Sequence, residues 1–137
     1  MCGCKITNSN IPVNLKEIKA SDLSAIGSTT APSTFDIPMT CDPGVSVAYQ
    51  IDGTADVSKA TGVLAIQKGS GMATGVGVQV LQGSNPVALG TLSPTYIVTT
   101  SSAQGVNIPL TARYYKNNAT VTGGKVSAIA TFTMNYQ

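Results

Sequence analysis

Apolar residues recur at every second position in six stretches of the chain. Ile11, Val13 and Leu15 form the first, and Phe35, Ile37, Met39 and Cys41 the second. The third, Val45, Val47, Tyr49 and Ile51, closes on Asp52-Gly53, a turn dipeptide. A looser fourth region holds Leu64 and Ile66 and then, beyond a glycine-rich bend, Val76, Val78 and Val80. Val106, Ile108, Leu110, Ala112 and Tyr114 make the fifth; Val126, Ala128, Ala130, Phe132, Met134 and Tyr136 make the sixth. Successive side chains of a strand point to opposite faces, so a period of two predicts half-buried strands. The stretches between them, such as 27–33 and 93–105, are built of Ser, Thr, Gly, Pro and Asn, the residues of turns. Short strands at this spacing predict an all-β sandwich. Residues 16–26 are expected to hold no more than a short helical turn.

Composition narrows this further. The chain has 137 residues, which predicts one domain over 1–137, with Met1–Gly3 a linker or cloning remnant. Charged residues are 10% of it, against about 25% in an ordinary soluble domain. Long helices need Glu, Lys, Arg, Leu and Ala in quantity, and no stretch supplies them. The net charge of +2 gives no reason to expect nucleic acid as a partner. No apolar run approaches the ~20 residues of a membrane helix, so no membrane insertion is expected. Met1 leads directly into Cys2-Gly3-Cys4 without a secretion signal, and the chain is therefore read as a mature or recombinant fragment.

The candidate chemistry is thin. There is no His, so a Ser or Cys nucleophile lacks its usual base. Cys2, Cys4 and Cys41 fit either one disulfide with a spare thiol or a zinc site short of its fourth ligand. Strand phase favours the disulfide: Cys41 shares the buried face of Phe35, Ile37 and Met39, and Cys4 opens the first strand. A Cys4–Cys41 bridge would staple the first two strands, worth roughly 4 kcal/mol by chain entropy, and implies an oxidising compartment. Gly69–Gly75 lacks the Lys-Ser/Thr ending of a phosphate loop and reads as a bend. Asp52 and Asp56 read as a solvated turn, without the carboxylates a calcium loop needs. Asn118-Ala119-Thr120 is a glycosylation sequon, silent in a bacterial protein. Tyr114 is in phase with its strand's core face, which leaves Tyr115 alone as a sugar-stacking ring. The chain is expected to be no enzyme and to carry no cofactor or metal.

The sixth alternation carries neither charge nor Pro from Val126 to Gln137, the devices that usually blunt an edge strand. Such a strand needs a neighbour, from its own chain or another. Here the sequence resembles the pilin domains of chaperone–usher fimbriae. Tyr136 matches that family's penultimate aromatic, Gly124 its glycine fourteen positions from the end, and Val126 to Met134 its apolar alternation. Gly75-Val76-Gly77-Val78-Gln79 and Ile108-Pro109-Leu110-Thr111-Ala112-Arg113-Tyr114 resemble two of its internal strands, and Cys4 and Cys41 match its single disulfide.

The resemblance implies an incomplete immunoglobulin-like sandwich lacking its seventh strand, with a hydrophobic groove beside the C-terminal strand. A donor strand from a periplasmic chaperone, and then from the adjacent pilus subunit, completes it during assembly at an outer-membrane usher. The module is then secreted, crossing the periplasm into an extracellular fimbrium. Gly124, Val126, Ala128, Ala130, Phe132, Met134, Tyr136 and Gln137 are the expected partner-strand interface. About five donor side chains at ~1.5–3 kcal/mol each would add roughly 8–15 kcal/mol of gross stabilisation, comparable with a whole domain's stability. Polymerising pilins carry an alternating extension before the first Cys, and here only three residues precede Cys4. Two readings follow. The module is the C-terminal pilin domain of a two-domain tip adhesin, anchoring an N-terminal lectin domain to the fibre, or a polymerising subunit whose extension has been removed. Thr120–Val126 resembles the tip-adhesin domains of type 1 fimbriae, so the first is preferred. An autonomous carbohydrate-binding sandwich is the reading from another class, and it requires a complete fold with a ligand pocket.

Overall fold

The computed structural model describes residues 4–6, 10–30, 33–41, 46–91, 96–97 and 104–136. They form two antiparallel sheets. The strands are β1 (Cys4–Ile6), β2 (Asn10–Ile18), β3 (Ser33–Cys41), β4 (Ser46–Asp52), β5 (Val63–Leu64), β6 (Val76–Gln82), β7 (Asn85–Pro86), β8 (Tyr96–Ile97), β9 (Gln104–Lys116) and β10 (Gly124–Tyr136). One sheet has the order β1-β3-β9-β6-β5, with β7 paired to β6; the other has the order β2-β10-β4-β8. The six alternations supply β2, β3, β4, β6, β9 and β10, and in-phase apolar positions meet across the ladders: Phe35 opposite Leu110, Ile37 opposite Ile108, Met39 opposite Val106.

The first strand departs from expectation. Cys4 does not begin the strand that carries Ile11, Val13 and Leu15: β1 pairs with β3 in one sheet, while β2 pairs with β10 in the other. The N-terminal run thus serves both layers. The helical content of 16–26 is a single 3-10 turn at Ala20–Asp22. Asp22 closes it by accepting the backbone N–H of Lys19 at 3.0 Å.

The core lies between the sheets and is built from Tyr49, Ile51, Val78, Val80, Leu110, Ala112, Ala128 and Ala130, among others. β6 is buried on both faces from Val76 to Leu81, because residues 54–64 fold over its outer side. Gln79, buried there, donates to the Thr61 carbonyl at 2.9 Å and accepts from Arg113 Nε at 2.9 Å. Asp56 is a correction to the solvated-turn reading. It is only 3% exposed, and its carboxylate accepts the Ser58 backbone N–H and the side-chain amide of Asn117. A carboxylate leaves water only where hydrogen bonds replace its hydration, and both donors are supplied here. Lys116, also buried, continues the inward face of Tyr114 and gives its ammonium to the Ser24 carbonyl at 2.8 Å.

Candidate strand-accepting site

β10 has different neighbours along its length. On one side β2 covers it from Gly124, opposite Ile18, to Thr131, opposite Asn10. On the other side β4 covers it from Thr131, opposite Asp52, to Tyr136, opposite Val47. The N-terminal half is closed on that second side by residues 67–73: Gln67 donates to the Ser127 carbonyl, Ala73 to that of Lys125, and Lys125 to that of Gly71. Between these contacts and β4 lies a cleft of about 230 Å³ lined by Thr54, Ala65, Ile66, Gln67, Ala128 and Ile129. It holds no charged side chain, and nothing in it can do acid–base or nucleophilic work. The C-terminal half, Phe132–Tyr136, has β4 on one side; among the described residues no strand pairs with it on the other.

Backbone direction follows from those bonds. The carbonyls of Lys125 and Ser127 point away from β2. Backbone groups alternate in direction along a strand, so Val126, Ala128 and Ala130 aim theirs at β2. By the same alternation Phe132, Met134 and Tyr136 present theirs on that edge, past the last described residue of β2. Side chains alternate too: Val126, Ala128 and Ala130 are buried, whereas Ile129 is 51% exposed and Thr133 is exposed. The side chains of Phe132, Met134 and Tyr136, and all of Gln137, lie outside the described residues. Gly124 sits where residues 71–73 cross the strand, and a Cβ on it would stand 2.7 Å from the Gly71 carbonyl oxygen. Only glycine admits that approach. The glycine-rich segment 69–75 is therefore a bend that seals β10, with Met72 bridged to Lys125 and Thr74 to Thr122.

The family model for fimbrial proteins matches residues 2–137. This chain belongs to the fimbrial protein family. The fimbria adhesin protein of Klebsiella pneumoniae is 30% identical over 136 residues, which are 93% of this chain but 42% of that protein. The chain thus spans less than half of that adhesin. The type-1 fimbrial protein A chain of Salmonella typhi is 33% identical over 142 residues, covering 99% of this chain and 76% of that one. Among solved structures, the P pilus rod subunit PapA superimposes with a TM-score of 0.73 at 20% identity, over 99% of both chains. The fold is the immunoglobulin-like sandwich of chaperone–usher pilins, a structural rather than an enzymatic family.

In this fimbrial module Cys4 stands directly opposite Cys41 in the β1–β3 register. The sequence reading had the pair in adjacent strands, but not the switch of sheet that follows within a few residues. β1 also approaches β10, so the strand bearing Cys4 lies near the last strand across the gap between sheets. Among the described residues, no three His, Cys, Asp or Glu side chains converge as metal ligands. Tyr114 is buried and Tyr115 half-buried. Tyr49, opposite Met134 on β4, was read only as core. It is fully buried, its hydroxyl donates to Gln82 Oε1, and burial pushes its pKa up to about 12.

Proposed function

We infer that this module is a strand acceptor of a bacterial adhesive pilus. The observation that supports the reading is the alternating apolar end of β10 at Phe132–Tyr136, which has β4 on one side and no paired strand on the other among the described residues. An extended segment added there gains main-chain hydrogen bonds along the edge and buries alternate side chains between the sheets. The donors are a periplasmic chaperone and then the neighbouring subunit, with assembly at an outer-membrane usher; Cys4 and Cys41 are joined as a disulfide in that oxidising route. Within the fibre we favour the C-terminal domain of a tip adhesin, on the resemblance of Thr120–Val126. The A-chain relative of Salmonella typhi, matched over most of its length, supports the alternative of a polymerising subunit. The gene product decides between them: a lectin-sized segment before Cys4 marks the adhesin, a short alternating extension the polymerising pilin.

The test of strand acceptance is thermal unfolding with a saturating alternating apolar peptide, alongside co-purification with the chaperone. A ligand that binds only the folded state raises stability as its concentration exceeds Kd. A large rise in Tm is expected, lost in Phe132→Lys and kept in Asn135→Lys, which the alternation puts on the opposite face. A chain already highly stable and unmoved by every such peptide overturns the reading.

A further inference from the structure

We propose that Asn118 is an acceptor site for asparagine-linked glycosylation, and that the folded module carries a sugar there without disturbing its sheets. The inference stands apart from the strand-acceptor reading and concerns the other end of β10. Asn118-Ala119-Thr120 is the only Asn-X-Ser/Thr sequence in the chain. The reason for expecting it to be silent lies in the host; the fold displays it, with all three residues exposed in the β9–β10 turn. Two neighbouring asparagines have different roles there. Asn117 is half-buried, and its side-chain amide donates to the Asp56 carboxylate. Asn118 is exposed, and its Oδ1 accepts the backbone N–H of Thr120 at 3.1 Å. Its Nδ2, the atom that a sugar would take, has no hydrogen-bond partner among the described residues.

The turn is pinned on its inner side. The Asn117 N–H donates to the Gly75 carbonyl at 2.9 Å, and Thr74 and Thr122 exchange both backbone bonds at 3.1 Å. Gly75, at a φ of +81°, lies so close to the Thr120 carbonyl that a Cβ would not fit between them. Val121 packs against the core. Residues 118–120 are left on the outer side, where a bulky, hydrated group displaces no packed side chain. β10 runs 13 residues from Gly124 to Tyr136, about 40 Å at ~3.4 Å per residue. A sugar at the Gly124 end is therefore far from the strand end proposed to take a donor. The reaction needs no oxidant or reductant. Nδ2 bonds to the anomeric carbon of a sugar diphosphate, carried on a nucleotide or on a lipid. That carbon's bond to the diphosphate oxygen breaks, the diphosphate leaves, and Nδ2 gives one proton to a base of the transferase.

Two arms of one experiment separate the donors. In the first, the purified folded chain is incubated with a soluble asparagine glycosyltransferase and a nucleotide-linked glucose. In the second, the chain is secreted from a host whose membrane transferase uses a lipid-linked oligosaccharide. Peptide mass mapping reads the site, and enzymatic release of the sugar should leave aspartate in place of the asparagine. The sugar is expected on Asn118 in at least one arm. It should be lost in Asn118→Gln and in Thr120→Ala, and kept in Thr120→Ser, which retains the hydroxyl of the sequon. Sugar that persists in Asn118→Gln sits elsewhere and overturns the proposal, as does a chain left unmodified in both arms. The Tm of the glycosylated and bare chains should agree within about 2 °C, the scale of a neutral surface change. A larger fall refutes the claim that the folded module carries the sugar without disturbance.

Discussion

The two halves of β10 share one sequence pattern and differ in everything around it. From Gly124 to Ala130 the strand has β2 on one edge, and as far as Ser127 it has residues 67–73 on the other. From Phe132 to Tyr136 it keeps β4 and nothing further among the described strands. Apolar alternation is continuous through both. It therefore reports which face of a strand turns inward, and is silent on which edge is paired. Edge pairing depends on where other strands run, here on β2 lying along β10 from Gly124 to Thr131 among the described residues.

The contrast can be tested first at the β1–β3 pair, which lies near β10. Cys41→Ser removes the proposed bridge that pins β1 to β3. It should cost about 4 kcal/mol of stability and weaken donor-peptide binding as well, read from chemical unfolding and from titration of the peptide. Peptide mapping of the parent under non-reducing conditions should show Cys4–Cys41; a dominant link through Cys2 would remove the basis of this expectation.

Next comes the enclosed half. Ala130 is fully buried, and Ala130→Asp places an unpaired carboxylate in the core, at about 3 kcal/mol or more. Thr133→Asp, on an exposed position of the other half, should stay within about 0.5 kcal/mol. Equal losses in the two variants would mean that the halves do not differ as described. Gly124→Ala tests the seal itself: its Cβ meets the Gly71 carbonyl, and overpacking against backbone should cost roughly 1–3 kcal/mol. Hydrogen exchange should then quicken at Ala73 and Lys125, whose bonds cross there.

The smallest effect belongs to β4, which pairs with the C-terminal half of β10. The pKa of Tyr49 is raised by burial from 10.0 to about 12. A raised folded-state pKa means that the folded chain holds this proton more tightly than the unfolded one. Its contribution is complete below pH 10 and falls away as pH climbs towards 12. Alkaline unfolding curves should show that decline, and Tyr49→Phe should flatten it, with a loss of about 1 kcal/mol at neutral pH for the missing hydrogen bond to Gln82.

Much of the fold was legible because six strands are long enough to show a period. β5, β7 and β8 contain two residues each, too few to alternate, and β8 fell inside a stretch read as loop. The division of the N-terminal run escaped for the same reason: β1 has three residues, and a change of sheet leaves no mark on side-chain period. Gly124 was legible only by resemblance, and its physical reason, the crossing of residues 71–73, is a contact between distant segments. Asp56 was misread because its burial depends on Asn117, far along the chain. An aspartate beside a turn looks solvated until the side chain that replaces its water is located.

The antiparallel pairing of β2 and β10 also decides how the module bears tension. Asn10 and Thr131 form the last described rung of this ladder, and the chain enters β2 at the same end at which β10 runs on towards Tyr136. A pull between residues upstream of Asn10 and residues downstream of Thr131 therefore loads the rungs one after another, as an unzipping, rather than all at once in shear. If the pull comes from before Cys4, a covalent link to Cys41 passes the load into β3, which is paired with β9 along its whole length. The same bond that stabilises the module in still solution would then set how much force reaches the β2–β10 ladder when a fibre is stretched.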